Sequence, residues 1–202
     1  MCLKRATSGF RSGTAVSKLR YLYSLILYLM LPAVLLRLWW RGRRRPGYRR
    51  HWRERFGFVE TAAAGALWIH AVSVGEVRAA EPLVAAVRRR WPERAVLLTT
   101  TTPTGRAMAR QLFGAAVRCV YLPYDLPGAV QRFLAGISPA LAVVMETEIW
   151  PNLYQGLRTR RVPLLLVNAR LSEASLRRYR WLAGLTKSTL DCVQRIAAQT
   201  EQ

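Results

Sequence analysis

Acidic side chains are scarce in this sequence. Eleven Asp and Glu stand against 32 Lys and Arg in 202 residues, a formal charge of +21. Cysteine is equally sparse. Cys2, Cys119 and Cys192 are odd in number and far apart, and no pair has metal or redox spacing, which leaves reduced thiols and a cytosolic setting. With only His51 and His70, there is no Cys/His metal constellation and no supportable Ser-His-Asp arrangement. The Gly-rich dinucleotide fingerprint is absent, since only Gly75 lies near the first strand-to-helix turn. No small-residue cleavage site follows the one long apolar run, which argues against a removed signal peptide. No internal repeat is visible. Neither a metal nor a cofactor is expected.

The positive charge that is present is unevenly spread. Residues 1–55 hold 14 basic residues and one acid, a net of +13, and the remaining residues hold 18 and 10, a net of +8. The excess therefore sits beside the apolar run Tyr21–Leu36, which Arg37 interrupts before Leu38, Trp39 and Trp40. Residues 1–20 are polar, basic and expected to be flexible. Residues 21–40 read as a membrane anchor, long enough to span if Arg37 snorkels, or able to enter one leaflet and bend at Pro32. If it spans, the denser positive charge after it places the rest of the chain in the cytoplasm.

Residues 41–60 form a basic, aromatic collar in which Arg43, Arg44, Arg45 and Trp52 join Trp39 and Trp40 as membrane contacts. Tyr48, Trp52, Arg55 and Phe56 share one side of a helix, as in a membrane-surface segment. Anionic lipid explains the location of the charge better than nucleic acid, which total charge alone would suggest.

From residue 61 to 202 short apolar runs alternate with helical patterns. Strands are expected at Leu67–Val72, Ala95–Thr100, Val117–Leu122, Leu141–Glu146, Pro163–Val167 and Arg195–Ala198. Helices are expected at Glu76–Trp91, Pro103–Phe113, Pro127–Ala135, Pro151–Arg160 and Ser172–Leu185. The alternation predicts a doubly wound α/β fold with a parallel sheet, Rossmann-like. With strand order 3-2-1-4-5, strands one and four adjoin at the topological switch point. Glu76, just after strand one, and Glu146 and Glu148, after strand four, then converge on one crevice. Two such acids can hold separated proton affinities and split a base role from a structural one. The plain alternative for Glu76 is a helix-start acid stabilised by the helix dipole.

Thr102 and Thr104 open the second helix, where hydroxyls and free amides hold either a phosphate or merely the helix cap. Arg170, after strand five, is placed to clamp an anion or to stand on the surface. His70 reads as a core residue and Asp125 as a turn residue.

These stretches resemble one family. His70-Ala-Val-Ser-Val-Gly-Glu76, Thr100-Thr-Thr-Pro-Thr-Gly105, Leu122-Pro-Tyr-Asp125, Met145-Glu-Thr-Glu-Ile-Trp-Pro-Asn152 and Val167-Asn-Ala-Arg-Leu-Ser172 are similar to the amino-terminal half of the lipid A Kdo (3-deoxy-D-manno-octulosonic acid) transferases of Gram-negative bacteria. The resemblance implies the amino-terminal domain of a GT-B glycosyltransferase. It implies transfer of Kdo from CMP-Kdo to a lipid A precursor (lipid IVA) at the cytoplasmic face of the inner membrane, with inversion.

By the same resemblance Glu76 is the general base, a glutamate of the second acidic motif (Glu148 favoured over Glu146) is also important, and Ser73, Gly75 and Asn152 join Thr102, Thr104 and Arg170 as substrate-binding candidates. A second domain, which binds the CMP part of the donor in the family, is expected to be missing, so that the 202 residues alone bind acceptor or membrane without transferring sugar. The competing readings are a non-catalytic membrane-bound module that keeps the fold, and a membrane glycosyltransferase using another activated sugar.

Overall fold

A computed structural model describes residues 3–5, 13–44, 46–61, 64–169, 177 and 182–198. Strand β1 (Leu3–Arg5) and helix α1 (Gly13–Arg44) come first, then a 3-10 turn (Pro46–Arg49) and one helical turn, α2 (Trp52–Arg55). The alternating part follows as β2 (Leu67–His70), α3 (Val74–Ala79), α4 (Glu81–Arg90), β3 (Val96–Thr100), α5 (Pro103–Phe113), β4 (Arg118–Tyr121) and α6 (Pro127–Ile137). It continues with β5 (Leu141–Met145), α7 (Pro151–Thr159), β6 (Leu164–Ala169), α8 (Ala183–Leu190) and β7 (Arg195–Ala198). The sheet order is β1-β7-β6-β5-β2-β3-β4, parallel throughout except for the antiparallel β1–β7 pair. Counted from β2, the six parallel strands run 3-2-1-4-5-6, and β2 and β5 adjoin as the sequence predicts.

The central strands β2, β3 and β5 are buried on both faces, which is why they read as unbroken apolar runs. On one face α6 and α7 cover Trp68, Leu97 and Val144, with Phe133 edge-on to Trp68 at 5.3 Å between centroids. On the other, Val77, Val84, Val87 and Ala109 from α3, α4 and α5 cover Ile69, Leu98 and Val143.

Four expectations need correction. The single helix Glu76–Trp91 is two, meeting at Ala80, because Pro82 supplies no amide to the preceding turn. The helix expected at Ser172–Leu185 lies mostly outside the described residues, and α8 runs on to Leu190. The apolar helix is longer than the expected anchor 21–40: α1 begins at Gly13 and keeps Pro32 inside it, and Leu3–Arg5 is a strand within the stretch expected to be flexible.

The fourth concerns the collar, whose aromatic side was expected to meet lipid. Its supposed lipid face turns inward. Tyr48 and Arg55 are buried, and Phe56 stands edge-on to Tyr124. Arg55 donates to the Thr101 carbonyl at 3.2 Å and stacks over Tyr121 at 4.1 Å, partners that only the folded sheet supplies. Trp52 is half-buried and donates its indole N–H to the Tyr48 carbonyl at 2.9 Å. Gly57 has φ +82, and a Cβ there would lie 2.0 Å from the Ala129 carbonyl oxygen, so this crossing of collar and α6 requires glycine.

Glu54 ties the collar to the open edge of the sheet. It pairs with Arg106 in a two-pronged bridge (2.6 and 3.1 Å) and accepts the Tyr121 amide at 2.8 Å. Arg106 is 7% exposed and lies 4.8 Å over the Tyr121 ring. Glu54→Ala leaves that buried guanidinium and a strand amide without their partner. We expect a loss of about 3–5 kcal/mol in denaturant unfolding.

Asp125 ties α1 to the same domain. Its carboxylate accepts the Asn152 and Leu153 amides at 3.0 and 2.8 Å, capping α7, and takes a hydrogen bond from Tyr23 of α1. Asn152 Nδ2 donates to the Asp125 carbonyl at 2.6 Å and to Ser24 Oγ at 3.0 Å. Burial, opposed by those hydrogen bonds, pushes the Asp125 carboxyl up to about 7. A raised folded-state value means that the native state holds the proton more tightly than the unfolded chain. The stability this contributes is complete below about pH 4 and lost as pH rises through 7. Urea melts between pH 4.5 and 8 should show that decline, and Asp125→Asn should flatten it.

Candidate active site

The carboxyl ends of β2 and β5 carry the acidic residues. β2 stops at His70, and the turn through Ser73 opens α3. Ser73 is the N-cap: its Oγ accepts the Glu76 amide at 3.3 Å, while the Glu76 carboxylate reaches back to the Ser73 amide at 3.2 Å and the Val72 amide at 2.8 Å. This is a complete capping box, and it holds the carboxylate rigid. Glu76 is 6% exposed, and no salt bridge neutralises it among the described residues. Burial raises its proton affinity, the three hydrogen bonds oppose that, and the charge of Glu146 adds to the rise. Each carboxylate oxygen keeps acceptor capacity beyond its amide bond.

Glu146 follows β5 directly and adopts φ +60, a left-handed conformation that costs a non-glycine residue energy. Its amide donates to the Val167 carbonyl at 2.9 Å. Asn168 at the end of β6 has φ +57, beside a register shift between Val167 and Ala169. Two strained residues thus stand at neighbouring strand ends. Glu148 is half-buried. Burial first, then the charges of Glu76 and Glu146, push its carboxyl up to about 7, while the Trp150 indole opposes the shift. That indole N–H is buried without a hydrogen bond of good geometry. The Tyr154 hydroxyl donates to the Glu148 carbonyl and steadies the loop from α7.

The three acids therefore act on one another across the β2–β5 junction. Glu76 and Glu148 differ in support: the first has two backbone amides, the second has none. At neutral pH the pair can hold one proton, with the charge kept at Glu76.

The other sequence candidates fall as follows. Thr102 is the N-cap of α5, accepting the Gly105 amide at 3.1 Å and donating to the Val72 carbonyl at 3.3 Å, so its hydroxyl is used in closing the α3–α5 junction. Thr104 is exposed. Gly75 is exposed with no positive φ, and a Cβ there would meet only Ser73 Oγ at 3.9 Å, so the protein itself does not demand glycine at this turn. Asn152 is buried in the α1 contact. Arg170 and Arg45 lie outside the described residues.

Trp39, Trp40, Arg43 and Arg44 are exposed on the last turns of α1. His70 is fully buried, its Nδ1 2.8 Å from Thr99 Oγ1, and burial lowers it to about 4, so it is neutral. No cluster of three His, Cys, Asp or Glu fit for a metal occurs among the described residues.

Two residues of the site escaped the sequence. Trp150 was a motif member without a role, and Asp125 was taken as a turn residue although it caps a helix that begins 26 residues later. A polar residue flanked by prolines is the only local signal for the second.

An open groove of about 840 Å³ runs along the β4 edge, lined by Trp52, Arg53, Phe58, Arg106 and Arg118 among others. It does not include Glu76, Glu146 or Glu148.

Comparison with known proteins identifies the family. The family profile described as 3-deoxy-D-manno-octulosonic-acid transferase (kdotransferase) matches residues 50–202. A 3-deoxy-D-manno-octulosonic acid transferase of Bordetella pertussis is 43% identical over 91% of this chain and 45% of its own length. The Haemophilus influenzae protein of the same name is 38% identical over 89% of this chain and 43% of its own length. A probable mitochondrial one from Arabidopsis thaliana is 33% identical over 78% of this chain and 36% of its own length. The chain thus spans under half the length of these curated relatives. With the profile covering the whole alternating part, and the motifs around Glu76 and Glu148 inside it, the chain belongs to the 3-deoxy-D-manno-octulosonic-acid transferase family.

Proposed function

We propose that this chain forms the acceptor side of a Kdo transferase of lipopolysaccharide biosynthesis. In this reading a lipid A precursor at the cytoplasmic face of the inner membrane receives Kdo from CMP-Kdo, the nucleotide being held by a second domain. The observation that carries the proposal is the convergence of Glu76, Glu146 and Glu148 on the β2–β5 crevice, in a chain with so few acids.

Glu76 is the base. Its carboxylate takes the proton of an acceptor sugar hydroxyl, the oxygen attacks C2 of Kdo, and the bond from C2 to the CMP phosphate breaks with its electron pair leaving on CMP. Attack opposite the leaving group inverts C2. The backbone amides of Val72 and Ser73 hold the base in place, and burial strengthens it. Glu148 keeps its proton near neutrality and donates a hydrogen bond to the acceptor. Gly75 leaves the approach to Glu76 open, and Ser73 borders it. The exposed Trp39, Trp40, Arg43 and Arg44 meet anionic lipid.

Glutamine keeps one acceptor oxygen for the capping box but sets its NH2 donor against the second backbone amide, so Glu76→Gln removes the base and weakens the cap. In the chain joined to the donor half of the Bordetella pertussis relative, we expect Kdo transfer to lipid IVA to fall by about 10²–10⁴-fold, far more than a loss of a few degrees in melting temperature explains. Undiminished transfer would refute the base role.

The same fusion should show a bell-shaped pH profile. Its acid limb, where Glu76 becomes protonated, lies above the ordinary carboxylate range near 4.3, and its alkaline limb lies close to 7, where Glu148 loses its proton. Glu148→Gln should abolish the alkaline limb and leave the acid limb in place, because Glu148 is already neutral where Glu76 titrates.

A further inference from the structure

We propose that α1 lies in the plane of an anionic membrane, held against the domain along its length, and does not cross the bilayer. The inference deepens the membrane partner proposed above and is independent of the chemistry of Glu76. By length and composition alone α1 qualifies as a span: Ser17–Arg44 is 28 residues with mean hydropathy 1.8. Its surroundings oppose that role. The chain before α1 pairs with the sheet, with Leu3, Lys4 and Arg5 opposite Ala197, Ile196 and Arg195, and the chain after α1 enters the same domain. Both ends of the helix are thus on one body, whereas a span must place about 30 Å of hydrocarbon between them.

The helix is also fastened between its ends. A Cβ on Gly184 of α8 would stand 3.3 Å from Leu19 Cδ1, Ser24 Oγ accepts from Asn152 at the start of α7, and a Cβ on Gly128 of α6 would lie 3.9 Å from the Tyr28 hydroxyl. At the far end Arg41 stacks on buried Tyr48 at 4.8 Å, and Gly47 abuts Pro103 of α5, where a Cβ would be 3.0 Å away. Gly184, Asn152, Gly128 and Pro103 all stand at helix starts, on the carboxyl side of the sheet. The stretch between the two sets of contacts, Leu29 to Trp40, is about 12 residues and about 18 Å, too short to cross.

The outward face fits the proposed occupant. Leu22, Leu25, Ile26, Leu29, Leu36 and Trp40 are exposed and recur at three- and four-residue spacing on one stripe, opposite buried Ser24 and Gly42. Exposed Lys18 at one end and Arg37, Arg41, Arg43 and Arg44 at the other flank it with positive charge. A stripe of apolar side chains bordered by cations matches the boundary between acyl chains and anionic headgroups. It also brings the acid-bearing edge of the sheet to headgroup level.

Side-specific labelling tests this with the full chain. In intact spheroplasts an impermeant maleimide should leave Cys2 unlabelled, with labelling rising at least tenfold after lysis, Cys2→Ser serving to identify the band. Labelling of Cys2, or of Cys119 or Cys192, in intact cells would overturn the proposal. Fluorophores on the exposed positions Leu22→Cys, Leu29→Cys and Leu36→Cys, in phosphatidylglycerol-containing vesicles, give a second measure by lipid-borne quenchers. Equal shallow depth at all three supports the in-plane helix. A deep minimum at residue 29 would establish a span, and no quenching at any position would show the stripe covered by something other than lipid; either result overturns the proposal.

Discussion

The parallel pairing of β2 with β5 governs this molecule. Leu67 to His70 lie opposite Leu141 to Val144, and the connections leave those two strands toward opposite faces of the sheet, α3 and α4 on one and α7 on the other. A crevice opens where the chains diverge. The turn after β2 contributes Glu76 and the loop after β5 contributes Glu146 and Glu148. Burial first, and then the neighbouring carboxylate charges, raise the proton affinities of Glu76 and Glu148. Left-handed backbone at Glu146 and Asn168 marks the same edge as one where local conformational preference has yielded to the arrangement of side chains.

The edge that bears the acids also bears α1. Asp125 and Asn152 join the cap of α7 to Ser24 and Tyr23, so the apolar helix and the acidic crevice are fixed relative to each other through one buried polar network. The collar works from the other side. Glu54 satisfies the edge-strand amide of Tyr121 and balances Arg106, while Arg55 and Arg106 share the Tyr121 ring. An exposed sheet edge is thereby covered by the segment that follows α1. Apolar helix, collar and acidic crevice form one continuous support.

Much of this was legible residue by residue. Strands buried on both faces leave an unbroken apolar signature, and prolines at 103, 127 and 151 mark the starts of α5, α6 and α7. The expected strand Arg195–Ala198 has the observed limits, and the others differ at their ends by a residue or two. The collar misled because Tyr48, Trp52, Arg55 and Phe56 have the composition of a lipid-facing surface. An arginine is buried only when a carbonyl and an aromatic face meet it, and Thr101 and Tyr121 are far away in sequence. Asp125 reads as a turn residue and Asn152 as a substrate contact because their partners come from α1 and α7, beyond any local window.

The amino-acid sequence by itself determined the alternation of strands and helices, the acidic residues at two strand ends, and an apolar helix beside dense positive charge. These are properties of short windows, where side-chain period, proline geometry and charge act on near neighbours. Tertiary structure alone decided that Glu76 and Glu148 come close enough to act on each other, that the collar faces the protein, and that both flanks of α1 rest on one sheet. Each of those depends on groups brought together from distant parts of the chain, and no local pattern encodes a distance that only packing creates.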